Sequence, residues 1–235
     1  MFLYDKHSVI KRMKLVIPAM LLCMIGDYSI GIEPTWSKEI GIAASDGWLS
    51  ISDIRITISN VAGMIGTVLF AIGAVAFMSY LYENNKDNKN RLEKGILRLF
   101  YISLFTGCLS FIYFHIACGG LIQHFNVLYE LSGGDLKTAE SSWIRMFMVE
   151  AIPFIVLFVA FDLFATVAWV GMILRGIIKL PKIWICAAPL VMAFIGQLFE
   201  LIPLPFKGIG SGFESLGWML MFIAGIKYIN SNQNN

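Results

Sequence analysis

The sequence predicts an all-α membrane protein, a single bundle of six transmembrane helices spanning residues 1–235 with both termini in the cytoplasm. Three observations lead there. Of the 235 residues, 57% are hydrophobic and 14% charged, whereas soluble domains carry roughly 25% charged residues. The apolar residues gather in six runs near the length of about 20 residues that crosses a bilayer. The cations between those runs fall mostly on alternate connections, as the positive-inside rule requires.

The first span is expected near 15–32, where LVIPAMLLCMIGDYSIGIEP carries Asp27 inside its apolar run. The preceding MFLYDKHSVIKRMK has the charge of a signal-peptide start, but no A-x-A cleavage site follows, which favours an uncleaved first span. The second is expected near 56–82, with Ser59, Gly63, Gly66, Gly73 and Ala74 forming a small-residue face suited to close helix packing. Ser50-x-x-Asp53 matches a capping box that would start it. The remaining spans are placed near 96–121, 150–174, 183–203 and 214–229. Pro18, Pro153 and Pro189 sit in or beside spans, where neighbouring helices compensate kinks. The tail NSNQNN, 230–235, reads as disordered, and ENNKDNKNRLEK as a solvated connector.

Orientation follows from the connections. Lys6, Lys11, Arg12, Lys14, Lys86, Lys89, Arg91, Lys94, Arg98, Arg175, Lys179, Lys182 and Lys227 share one side, 13 of the 18 Lys and Arg residues. Lys38, Arg55, Lys137, Arg145 and Lys207 share the other. The first side is therefore cytoplasmic, and the expected location is the cell membrane, multi-pass. The outer loops, 33–54 and 122–149, are acidic and apolar. Each is expected to hold a short interfacial helix, with Trp36, Trp48 and Trp143 as interfacial anchors. No basic stripe points to nucleic acid, and the four cysteines form no CxxC pair.

Polar groups within spans are expensive and mark partners or sites. At 1.5 Å per residue, Asp27 lies about 5 Å outward of the midplane, Gln197 about 6 Å, and Asn60, His115 and Glu200 about 10 Å. Asp162 falls near the midplane. Gln197 and Glu200, three apart, share a helix face. Arg55, Glu33, His124 and Glu130 extend the polar set outward. These residues predict a polar cavity that opens outward, with Asp27 near its floor. Taken singly, each such residue more often fixes helix packing, as Asp27 paired with Arg55 or Asn60 would do; the site reading rests on the cluster.

Three functional classes compete. A binding protein would use Asp27 and Glu200 to receive a cation, an amphiphile or a lipid headgroup, with His115 titrating near neutrality. A haem protein would use His115, with His124 or a methionine opposite. An intramembrane metal-dependent lipid hydrolase would draw its ligands from His115, Asp27 and Glu200. No G-x-S-x-G elbow, HExxH or phosphate loop is present, and no metal-ligand spacing stands out. The expected partners are membrane lipid and a small molecule.

Four stretches carry a resemblance. GDYSIGIEP, SDIRITISNVAGMIGTVLFAIGAVAF, FHIACGG and SGFESLGWMLMF are together similar to a family of bacterial six-span integral membrane proteins of unknown function. The resemblance covers most of the chain and implies the six-span layout without implying an activity. Its matching polar positions are Asp27, Arg55, His115 and Glu214, which adds Glu214 to the candidate pocket.

Overall fold

The computed structural model describes residues 5–40 and 44–231. Helix makes up 81% of the structure, and the chain is an all-α membrane bundle. Two short β pairings decorate one end: β1 (Glu33–Pro34) with β4 (Phe206–Lys207), and β2 (Glu39–Ile40) with β3 (Ala44–Ser45), both antiparallel.

The chain begins with α1 (Lys6–Met13), where the Asp5 carboxylate accepts from the amides of His7 and Ser8. A break at Lys14 and Leu15 separates it from α2 (Val16–Gly31). Pro18 explains the break, because its ring clashes with the carbonyl four residues back, that of Lys14. Next come α3 (Asp53–Asn85) and α4 (Arg91–Leu131), then α5 (Leu136–Phe158), which runs through a π-helical turn at Val159–Leu163 into α6 (Phe164–Leu174). A 3₁₀ turn at Lys182–Ala187 leads to α7 (Pro189–Phe199), and another at Ile209–Gly212 leads to α8 (Phe213–Ser231).

Among the described residues, four helical stretches are long and apolar enough to cross a membrane: Asp53–Asn85, Arg91–Leu131, Leu136–Leu174 and Ile209–Ser231. The other two expected spans are shorter. α2 has 16 residues and α7 has 11, about 24 and 16 Å of helix against a hydrocarbon layer of about 30 Å. The fifth run, 183–203, is thus α-helical over only its middle: Pro189 starts the helix, and a turn follows Phe199.

Other expectations change as well. The 122–149 segment is not a loop with an interfacial helix. It is the closed end of the long α4–α5 hairpin, turning at Ser132–Asp135 with Gly133 and Gly134 at positive φ. Its faces meet around Phe125, Ala139 and Trp143. Trp143 is therefore buried, donating from its indole to the Leu121 carbonyl at 2.9 Å. In the 33–54 segment, the expected interfacial helix is a 3₁₀ turn at Asp46–Ser50 beside the strand pairs. No capping box forms: the Ser50 hydroxyl turns back to the Gly47 carbonyl, and Ser52 occupies the N-cap of α3. Residues 230 and 231 of the expected disordered tail belong to α8, and 232–235 lie outside the described residues.

The small-residue face of α3 does what its composition predicts. Gly66 packs on Cys23 and Ala19, and Gly73 on Val16 and the Arg12 carbonyl, which brings α3 against α1 and α2. The core of the bundle is aromatic, with Phe70 making edge contacts to Phe111, Phe161, Trp218 and Phe222.

Candidate functional site

Four helices bring polar side chains together inside the bundle. Asp27 sits one turn before the end of α2, and one carboxylate oxygen accepts from the Ser215 hydroxyl of α8 at 2.7 Å. The other lies 3.8 Å from Nε2 of His115 on α4, beyond hydrogen-bond range. The opposite ring nitrogen of His115 shares a 2.9 Å hydrogen bond with the Ser59 hydroxyl of α3. The His115 side chain is 4% exposed and that of Asp27 24%, so the carboxylate keeps an open side while the imidazole does not.

Glycines set the position of the ring. A methyl group on Gly26 would approach His115 to 2.6 Å, and one on Gly63 would overlap the ring. Only a residue without a Cβ lets α2 and α3 close on the imidazole from both flanks.

A second carboxyl pair adjoins the first group. Glu214, in the first turn of α8, interacts electrostatically with Asp27 and lies beside Asp162. Asp162 is fully buried and accepts from the Trp218 indole at 2.9 Å. It stands on the π-helical turn Val159–Leu163, nine residues beyond Pro153, and such turns often mark functional positions. The Thr106 hydroxyl of α4 reaches the Ala160 carbonyl within that turn at 3.1 Å. Trp218 is held by stacking on Phe161, with centroids 4.3 Å apart and planes at 8°.

The structure therefore divides the expected site residues. Asp27, His115 and Glu214 come together, and Asn60 lies one turn along, its buried Oδ1 unpaired and beside Gly119. Arg55 does not join them as a counter-ion. Its guanidinium donates to the carbonyls of Ser29 and Ile32 at 2.7 and 2.5 Å, because the end of α2 leaves carbonyls without helical donors. Glu200 is also committed elsewhere, accepting from the Gly208 amide at 3.0 Å and from the Gly210 amide. It thereby shapes the turn into α8, where Gly208 has φ 88°. Gln197 is exposed, and its hydrogen bond is a backbone one, its carbonyl accepting from the Glu200 amide at 3.2 Å.

Ser59, Ser215 and Trp218 are the partners that sequence reasoning missed. Serines and tryptophans in spans are too common to stand out, and only Asp162, a carboxyl near the midplane, carried a signal of its own.

The chemistry of the group is acidic. Asp27, Glu214 and Asp162 are neighbours, and among the described residues no Lys or Arg forms an ion pair with any of them. His115 is poorly placed as a haem ligand, since one nitrogen is bonded to Ser59, the other faces Asp27, and glycines flank the ring. Among the described residues no three His, Cys, Asp or Glu side chains converge as metal ligands, so the expected hydrolase set of His115, Asp27 and Glu200 does not assemble.

The chain belongs to a protein family of unknown function, DUF6796, whose model matches residues 4–232. No curated protein and no solved structure is significantly similar to it.

Proposed function

We propose that this chain is a six-span, multi-pass protein of a bacterial cell membrane, with both termini cytoplasmic, that binds a small cationic ligand at Asp27. The ligand class is a protonated amine, either free or as the headgroup of a lipid. One observation carries the reading: the Asp27 carboxylate, inside an apolar helix, has a single close donor in Ser215 and an open side. An intramembrane carboxylate without a fixed counter-ion marks a site for a partner, and a protonated amine supplies the matching charge. Glu214 places a second carboxyl nearby, and Ser59 with His115 holds the neighbouring wall in place. The alternation of basic connections supports the orientation. The reading is one of binding rather than catalysis, because the Ser59 hydroxyl and the His115 imidazole that pair beside Asp27 are both buried, away from the opening, and no metal-ligand set accompanies the carboxylates among the described residues.

The test is thermal unfolding of the detergent-purified full chain with ethanolamine, octylamine or phosphatidylethanolamine added. At least one amine should raise the melting temperature of the parent chain, and Asp27→Asn should abolish the shift while the variant still folds. A free amine acting alone identifies a soluble ligand, and an effect confined to phosphatidylethanolamine identifies a headgroup. A shift that survives Asp27→Asn, or the absence of any shift, would sink the proposal.

A further inference from the structure

At the opposite end of the bundle from Arg55 and the strand pairs, the end of α3 and the start of α4 enclose a cleft of about 280 Å³. Its lining is Tyr82, Asn85 and Lys86 from one helix end and Lys94, Leu97, Arg98 and Tyr101 from the other. Lys94 and Arg98 are four apart, so they stand on one face of α4 and their charges add across the same opening. Neither has a carboxylate partner among the described residues.

Of the acids nearby, Glu83 and Glu93 are already engaged, and Asp87 acts electrostatically on Lys86. Glu83 pairs with Lys86 at 2.9 Å. Both oxygens of Glu93 accept from side-chain amides, from Asn88 at 2.7 Å and from Asn90 at 3.0 Å. Lys94 and Arg98 therefore line the cleft with no carboxylate in ion-pair contact among the described residues. The cleft also sits at the edge of the apolar zone: the hydrophobic run of α3 ends at Leu81, that of α4 begins at Gly95, and Leu97 is buried beneath the opening. Tyr82 is 58% exposed there, in the position where amphipathic aromatics meet headgroups.

We infer that this cleft binds the phosphate of an anionic phospholipid, with Lys94 and Arg98 taking the phosphate oxygens and Tyr82 at its rim. The surroundings favour a lipid over a free phosphate. Four residues beyond Arg98 and Tyr101 on the same face of α4, Ile102 and Phe105 are exposed apolar side chains that continue from the cleft into the apolar zone. A phosphate held at Lys94 and Arg98 thus has a hydrocarbon-lined surface beside it for an acyl chain. This inference does not depend on the Asp27 reading.

The experiment measures thermal unfolding of the detergent-purified full chain against added phosphatidylglycerol, phosphatidylcholine or inorganic phosphate. Phosphatidylglycerol should stabilise the parent chain, and phosphatidylcholine should not. The half-saturating concentration should rise about fivefold in Arg98→Gln and about 25-fold in Lys94→Gln/Arg98→Gln, from the usual contribution of each cation at an anionic surface. Lys11→Gln/Lys14→Gln, which removes exposed cations of the N-terminal region, should leave it unchanged. Equal stabilisation by phosphatidylcholine, an undiminished response in the double variant, or an equal loss in the Lys11/Lys14 variant would overturn the inference. Inorganic phosphate reproducing the shift at the same concentration would overturn the lipid as its source.

Discussion

Arg55 and Glu200 contrast with Asp27, His115 and Glu214. Both sets are polar and both sit at or near apolar helices. At the rim, each charged group closes on backbone: Arg55 on two carbonyls that end α2, Glu200 on two amides that begin the turn into α8. In the interior, side chains close on one another, and Asp27 is left with an open side. The difference teaches where charge is structural. A helix end supplies a ready set of unpaired backbone groups, so a charged residue there has a partner whatever the protein does. A carboxylate within the helix body has no such default partner, and its retention needs another reason.

Three variants test this division, the largest effect first. Gly63→Leu drives a side chain into the space held by the His115 ring. It should destabilise the chain by about 3 kcal/mol, read from reversible unfolding in mixed micelles; a loss below about 0.5 kcal/mol would show that the ring is not confined by α3. Arg55→Met removes two charge-assisted hydrogen bonds while keeping the aliphatic stem. Its cost should be about 2 kcal/mol, with amine binding at Asp27 retained. If Arg55→Met instead abolished binding without a stability change, the rim and interior would not be separate systems.

The smallest effect belongs to Asp135, the exposed N-cap of α5, whose carboxyl accepts from the Thr138 hydroxyl and the Lys137 amide. The Thr138 hydroxyl first, then the Lys137 amide, holds its pKa below the usual carboxylate value. The folded pKa is thus lower than the unfolded one, so the stabilisation is complete above the unfolded value of about 3.9 and is lost as pH falls through the folded value. The melting temperatures of the parent chain and Asp135→Ala should differ slightly at pH 6 and converge under strong acid. A constant difference across that range would mean that the charge plays no part in the cap.

Much of the bundle was legible in advance because the signals were local. Apolar runs located the helices, and the spacing of Gly66 and Gly73 anticipated a packing face. The hairpin was hidden because α4, at 41 residues, and the helical stretch Leu136–Leu174, at 39, extend well beyond a membrane thickness. Residues 122–149 combine charge with apolar groups, and a charge count reads such a segment as a loop. α7 was overestimated for the converse reason: hydropathy continues through 183–203, but the backbone leaves the helix on both sides of Pro189–Phe199.

Sequence by itself determined that this chain is a helical membrane protein and that Asp27 and His115 lie as polar groups within its apolar runs. Those conclusions follow from composition, run length and the cost of burying charge, which are properties of a residue and its near neighbours. Tertiary structure alone decided which polar groups meet. Asp27 and Ser215 are 188 residues apart, and Ser59 and His115 are 56 apart. Contacts at such separations depend on how the helices rotate and approach, and here glycines on α2 and α3 set that approach around one imidazole.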